Sequence, residues 1–451
     1  MNEQFSQKDL INALLLSFNV SYYDFQEVKG STVTLYKFRP QIGVKVAKIR
    51  NLKDELASVL GVPSVRIIAP MEDGSVGVEV PNKVREIIQA KDIFNSLNYQ
   101  NSEMELPFAI GRTVTNEIYM TDIAEMPHLL VAGATGQGKS VGLNVLIMSL
   151  LKKKSPDELK LVLIDPKQVE FSLYSKLKDT YLACPVVTET ENAVAILKKL
   201  CILMDERYST IAKAGVRNIK EYNSLVSCDG STVSRLPYIV TVIDEYGDLI
   251  LTAGSEMERM ICRIAQKARA VGIHLILSTQ RPDTKIVTGN IKANFPTRIA
   301  FRTTTGIDSR VVIDQIGAEK LSGKGDMILF NADGTIRIQC AYASVEDVNG
   351  LCQTINVKYA DYANSFQLPL TDEEIYEQRR LEYIKQYEEE CEKKRQAQIR
   401  AEQRVQEWLK EREANQDKIE ERRRQLYRHF YGSNQNYMTL FLPHESKIRK
   451  K

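Results

Sequence analysis

The sequence predicts an α/β protein: a mainly parallel, helix-covered sheet carrying a phosphate loop, preceded by a small α+β unit and followed by a long charged helix. Three observations lead there. Five apolar, β-branched-rich runs (LLVAG, LVLID, YIVTVIDE, HLILSTQ and TRIAFR) punctuate residues 106–365, with stretches of helical periodicity between them. Such runs suit strands buried on both faces, and their alternation with helices implies parallel pairing. Residues 1–105 instead show short alternating blocks, and residues 366–451 are dominated by charge.

In the first unit, TVTLYKF (32–38) alternates like a strand and GVKVAKI (43–49) repeats the pattern. Asn51 is placed to cap a helix over LKDELASVL, with Asp54 in its acidic first turn and Gly61 at its stop. VRIIAP and VGVEVP add two short strands ended by prolines. In the central unit, EMERMICRIAQKA sets Met257, Met260, Ile261, Ile264 and Ala268 at helical spacing.

Residues 371–428 hold 16 Asp/Glu and 15 Lys/Arg, with Glu389–Lys393, Glu390–Lys394 and Glu420–Arg424 at i,i+4. A heptad is limited to Ile384, Tyr387 and Cys391, so a solvated helix is expected, with docking to a protein partner as the alternative. The last twenty or so residues, with YGSNQNY and KIRKK, are expected to be loosely ordered.

Bulk properties narrow the function. The chain has 451 residues and a net charge of +3, so nucleic-acid affinity must come from a local patch. The start lacks a signal-peptide pattern, and no apolar run reaches the 18 residues of a membrane span; VGLNVLIMSLL is short and contains Asn144. The seven cysteines form no CxxC pair and read as reduced. The expectation is a cytoplasmic protein without a membrane span.

GATGQGKS comprises Gly133, Ala134, Thr135, Gly136, Gln137, Gly138, Lys139 and Ser140, and matches the P-loop pattern between an apolar strand and a helical run. Its glycines let backbone N–H groups turn toward phosphates at a helix N-terminus. Lys139 would reach the β- and γ-phosphates of ATP, and Ser140 would ligate Mg²⁺. YIVTVIDE ends a strand in an acidic pair: Asp244 for the Mg²⁺ shell and Glu245 to polarise an attacking water. HLILSTQ ends in Thr279 and Gln280, whose amide could sense the γ-phosphate, orient water, or simply cap the strand. Hydrolysis needs such a base, and no acceptor site for a kinase is evident.

The blocks PHLLVAGATGQGKSVGLNVLIMSLL, LVLIDPKQVEFSLY, VIDEYGDLI and QKARAVGIHLILSTQRPDTKIVTGNIKANFPTRIAFRTTTGIDSRVVIDQIGAEKLSGKGDMIL, in this order and spacing, resemble the FtsK/SpoIIIE DNA translocase family. GVKVAKIRNLKDELASVLGVPSVRIIAP and VGVEVPNK resemble the domain that precedes its motor. The resemblance covers roughly residues 30–350. It implies a RecA-like ATPase, a hexameric ring and double-stranded DNA as cargo. It matches Lys139 and Ser140 to the P-loop pair, Asp244 and Glu245 to the acidic pair, and Arg269 to an arginine completing the neighbouring subunit's site. Arg281, Lys292 and Arg310 match channel-loop positions that touch the DNA backbone. Gly306 stands where many relatives carry lysine. The membrane-spanning region of septal relatives and their winged-helix module find no counterpart, so septal anchoring and orientation reading are not expected of this chain.

Charge agrees independently of the resemblance. Residues 262–324 carry eleven Lys/Arg against four Asp/Glu, a larger surplus than that of the whole chain. That suits phosphate-backbone contact, and the scarcity of interleaved aromatics argues against a single-strand stacking groove. Two other readings stay open: a secretion or conjugation motor moving protein or a protein–DNA complex, and an ATP-binding scaffold that assembles through the charged helix.

Overall fold

The computed structural model describes residues 6–71, 73–228 and 234–432. The chain separates into two compact units between Thr371 and Asp372.

The first unit opens with helix α1 (Gln7–Ser17), started by a capping box in which Ser6 and Asp9 exchange hydrogen bonds. It continues through β1 (Tyr22–Lys29), β2 (Val33–Pro40), α2 (Val46–Asn51), α3 (Lys53–Leu60), β3 (Arg66–Ile68) and β4 (Val76–Pro81). These strands form an antiparallel sheet in the order β1-β2-β4-β3. Ile11, Leu15, Phe38, Ile49, Leu56 and Val78 fill its core. Two expectations are corrected. GVKVAKI is a turn running into α2, not a strand: Ile49 is its one buried side chain and continues to Leu52 and Leu56 at helical spacing. Asn51 closes α2, so α3 is entered through Leu52 without a side-chain cap, while Asp54 in its first turn and Gly61 at its left-handed stop (φ +63°) are as predicted.

The large sheet is built from β5 (Pro107–Thr113), β6 (Ile118–Asp122), β7 (His128–Ala132), β8 (Leu159–Ile164), β9 (Tyr238–Ile243), β10 (Ile273–Thr279), β11 (Thr297–Phe301), β12 (Asp326–Asn331) and β13 (Gly334–Cys340). Its helices are α4 (Ala90–Phe94), α5 (Leu97–Gln100), α6 (Lys139–Lys153), α7 (Thr190–Lys213), α8 (Ile219–Cys228), α9 (Tyr246–Lys267), α10 (Gly289–Asn294), α11 (Gly306–Ile313) and α12 (Val345–Lys358). The strand order is β6-β5-β13-β12-β11-β7-β10-β9-β8. The five apolar runs are β7 to β11 and pair in parallel, while β12, β13, β5 and β6 add an antiparallel wing. Met257, Met260, Ile261, Ile264 and Ala268 are all buried against this sheet, as their spacing predicted. Ile88, Ile93, Phe94 and Tyr99 also join its core, so packing changes hands between Pro81 and Ile88, earlier than residue 105.

The two sheets are joined by a buried ion network. Arg337 on β13 donates through Nε and Nη2 to both carboxylate oxygens of Asp326 (2.9 and 2.6 Å) and through Nη1 to Glu79 on β4 (2.5 Å). All three side chains are almost wholly buried. Burial alone would lower the Arg337 pKa, but Asp326 and Glu79 outweigh it and hold the guanidinium above its ordinary value.

The second unit, over its described residues, is helix α13 (Asp372–Tyr431), 60 residues or about 90 Å long. Its described side chains are largely exposed, and its ion pairs include Glu390–Lys394 at 3.0 Å. The loosely ordered end expected from sequence falls mostly on residues 433–451, outside the described residues. Among the described residues no helix is long and apolar enough to cross a membrane.

Candidate nucleotide site

The phosphate loop joins β7 to α6. β7 lies between β10 and β11, where the order of the parallel strands reverses, and a crevice opens there beyond the strands' carboxyl ends. Two glycines of the loop, Gly136 (φ +75°) and Gly138 (φ +111°), are left-handed. A Cβ on Gly138 would also lie 2.6 Å from the Gly325 nitrogen, so the crest of the loop abuts the lead-in to β12 backbone to backbone. The Gly325 N–H donates to the Gln137 carbonyl across that contact (2.9 Å). Helix α6 begins at Lys139, so its first N–H groups, which have no acceptor within the helix, border the loop.

Lys139 and Asp244, assigned from sequence to phosphate and to Mg²⁺, pair with each other here. Lys139, buried, donates to Asp244 Oδ1 (2.5 Å) and to Ser278 Oγ (2.7 Å), and Ser278 Oγ donates to the same Asp244 oxygen (2.6 Å). Glu245 follows the tip of β9 in a left-handed conformation (φ +48°, ψ +54°), with its carboxylate buried. It accepts from Thr279 Oγ1 (2.9 Å), from the Gln280 N–H (3.2 Å) and from Lys167 Nζ (3.4 Å). The Gln280 side-chain carbonyl accepts from Thr135 Oγ1 (2.6 Å), tying the end of β10 to the phosphate loop.

Three participants escaped the sequence reading: Lys167, Glu170 and Ser278. The first two lie on the loop after β8, shaped by the Asp165 carboxylate, which accepts from the N–H groups of Lys167, Glu170 and Phe171 (3.1, 2.9 and 3.0 Å). Lys167 reaches Glu245 and Asp248. Burial would lower its pKa, but the two carboxylates outweigh it and leave the ammonium above its ordinary value. Glu170 Oε1 accepts from Ser140 Oγ (2.5 Å). The signal was available, because Asp165 follows a strand tip just as Asp244 does.

A cleft of about 480 Å³ is lined by the phosphate loop, Glu170 and Gln280 and also by Ile87, Ile88 and Tyr342. Ser140, Glu170 and Asp244 present hard oxygen donors, the kind Mg²⁺ takes. Among the described residues no group of three or more His, Cys, Asp or Glu could hold a metal ion.

The remaining predicted residues lie elsewhere. Arg269 is exposed in a short 3₁₀ turn before β10, at the amino end of the strand. The phosphate loop is at the carboxyl end of its neighbour β7, so a strand's length, about 20 Å, separates them. Of the other three, Arg281 follows β10, Lys292 is on α10 and Arg310 is on α11. Arg281, exposed, shares a small cleft with Thr304 and Asp308 at the start of the helix, and Arg310 is exposed on it. Lys292 is tied at 2.8 Å to Asp314, the residue that ends α11 and also pairs with Arg298. Gly306 is the first residue of α11, behind a capping box of Thr305 and Asp308.

A sequence profile of the FtsK/SpoIIIE family matches residues 90–284, and the FtsK alpha domain profile matches residues 1–82. The DNA translocase FtsK of Treponema pallidum is 44% identical over 323 residues, covering 71% of this chain and 40% of the relative. That of Clostridium acetobutylicum is 45% identical over 350 residues, covering 77% of this chain and 45% of the relative. The chain thus spans less than half the length of these relatives. Among solved structures, the pCW3 conjugation coupling protein TcpA, with ATPgS, superposes with a TM-score of 0.55 at 24% identity, over 78% of this chain and 99% of that one. EssC (ATPases 2 and 3) from Geobacillus thermodenitrificans gives 0.52 at 18% identity, over 60% of this chain and 52% of that one. At such identities these two establish the fold alone.

Proposed function

Because the chain belongs to the FtsK/SpoIIIE family, we propose that it is an ATP-driven translocase of double-stranded DNA acting as a hexameric ring. The observation that carries the reading is the junction of the phosphate loop with the strand tips. Lys139, Asp244 and Ser278 form one buried cluster there, with Glu245 and Gln280 beside it.

On this reading ATP lies in the cleft with its base against Ile87, Ile88 and Tyr342 and its phosphates in the loop. Lys139 turns from Asp244 to the β- and γ-phosphates, while Ser140 and Asp244 serve Mg²⁺, which neutralises phosphate charge when bound. Glu245 accepts the proton of the attacking water, and Gln280, hydrogen-bonded to Thr135, reports whether the γ-phosphate is present. Arg269 is too far from its own loop and acts on ATP held by the adjacent subunit, completing the transition-state charge only in an assembled ring. Arg281, Lys292 and Arg310 hold DNA phosphates without reading bases. Cytoplasmic action and a protein partner for α13 belong to the same proposal.

The test is the ATPase rate of the full chain with and without linear duplex DNA across a range of salt. Stimulation by duplex that fades with salt is expected, Lys139→Ala should abolish nucleotide binding, and Glu245→Gln should bind nucleotide without turning it over. Stimulation by a protein substrate and not by DNA would replace this reading with that of a secretion motor.

A further inference from the structure

We propose that Glu170 is a further carboxylate of the Mg²⁺ site, acting on the cation that accompanies the nucleotide. The inference rests on the ATPase reading above and assigns a role to a residue outside the P-loop and the acidic strand tip.

The first support is placement. Glu170 Oε1 takes the Ser140 hydroxyl at 2.5 Å, the length of a charge-assisted O–H···O⁻ bond, and the residue lines the cleft with the phosphate loop. Its backbone is fixed on both sides, by the Asp165 carboxylate on its own N–H and that of Phe171, and by burial of the Phe171 ring. The carboxylate is therefore delivered to Ser140 by a built loop and is not a surface side chain that drifted there.

The second support is electrostatic. A carboxylate in contact with the hydroxyl of a phosphate-loop serine faces the place where a polyanion must sit. Two like charges about 4 Å apart repel by several kcal/mol at the effective dielectric of a partly buried site. Such a residue opposes nucleotide binding unless a cation lies between it and the phosphates. The other nearby acid, Asp244, is already engaged by Lys139 and Ser278 on one oxygen, which leaves Glu170 as the carboxylate on the serine's side. A divalent ion held with the phosphates turns the repulsion into attraction, directly or through one of its waters.

Glu170→Gln separates this from a structural role, because the amide oxygen still accepts the Ser140 hydroxyl while the charge is gone. Binding of the fluorescent analogue mant-ATPγS to the full chain is titrated with Mg²⁺ and, separately, with EDTA. The expected result has opposite signs. In EDTA the variant binds as tightly as wild type or more tightly. The tightening produced by Mg²⁺ falls about tenfold, the lower range for losing a group that supports a metal site. Mn²⁺ binding to the ADP complex, read by electron paramagnetic resonance, weakens in parallel. An unchanged Mg²⁺ enhancement in Glu170→Gln, with unfolding as in wild type, overturns the inference and leaves the ATPase reading standing. Equal weakening in Mg²⁺ and in EDTA also overturns it, since that is the mark of a structural role. Failure of the wild-type chain to bind the analogue at all overturns both.

Discussion

Arg337→Met should be among the most destabilising single substitutions in the chain, although it lies outside the nucleotide cleft. It removes three hydrogen bonds and leaves the carboxylates of Glu79 and Asp326, each 1% exposed, facing one another without their shared cation. Arg66 remains at 3.4 Å from Glu79 but does not touch Asp326. An uncompensated buried charge costs about 3–5 kcal/mol, a large part of the roughly 5–15 kcal/mol that holds a domain together. Glu79→Gln should be milder, about 1–2 kcal/mol, because the bidentate Arg337–Asp326 pair survives it. The double variant should lose less than the sum, since one of the two stranded charges is then absent. Urea unfolding followed by circular dichroism measures all of this. A loss below about 1 kcal/mol for Arg337→Met would show that water already reaches the network and would refute the reasoning.

Two further predictions concern the motor. Mixing Arg269→Ala protein with Lys139→Ala protein should restore part of the turnover that each lacks, measured as ATP hydrolysis in rings verified to be mixed. No recovery would count against an arginine shared between subunits. For the DNA grip, each lost phosphate contact should lower the salt slope of duplex binding by about 0.9. Arg281→Ala and Arg310→Ala should show this fully. Lys292→Ala should show less, because Asp314 already neutralises that lysine. Identical slopes for wild type and a variant combining all three substitutions would remove these residues from the proposed grip.

The parallel half of the fold was legible because both faces of β7 to β11 are buried, which writes them as unbroken apolar runs. The antiparallel wing was not, since β6 and β13 are mostly half-buried and carry mixed residues that mimic loop. GVKVAKI misled because four alternating positions fit a period of two as well as the first turn of a helix, and only Leu52 and Leu56 beyond it decide between them. The candidate site was readable where a motif or a strand tip marks it, since Lys139, Ser140, Asp244, Glu245 and Gln280 do gather around the phosphate loop and the strand tips. Lys167 and Glu170 were missed because their roles come from a loop closed by Asp165, and nothing in residue spacing says where an irregular loop points its side chains. Which core α4 and α5 serve was not legible for a related reason: both are too short to declare it by periodicity.

The abutment of Gly138 on Gly325 limits how small a working fragment of this protein can be. The segment from β7 to β11 contains the phosphate loop, the acidic pair and Gln280, and a truncation that stops after β11 looks sufficient on paper. The crest of the phosphate loop, however, is shaped on its outer side by the backbone that leads into β12, and the Gly325 N–H is bonded to Gln137. Strand β12 is paired on its far side by β13, and β13 by β5 from the other end of the sequence. Excising β12, β13 or β5 would remove this support, so the smallest fragment that keeps the loop's outer wall runs from β5 through β13.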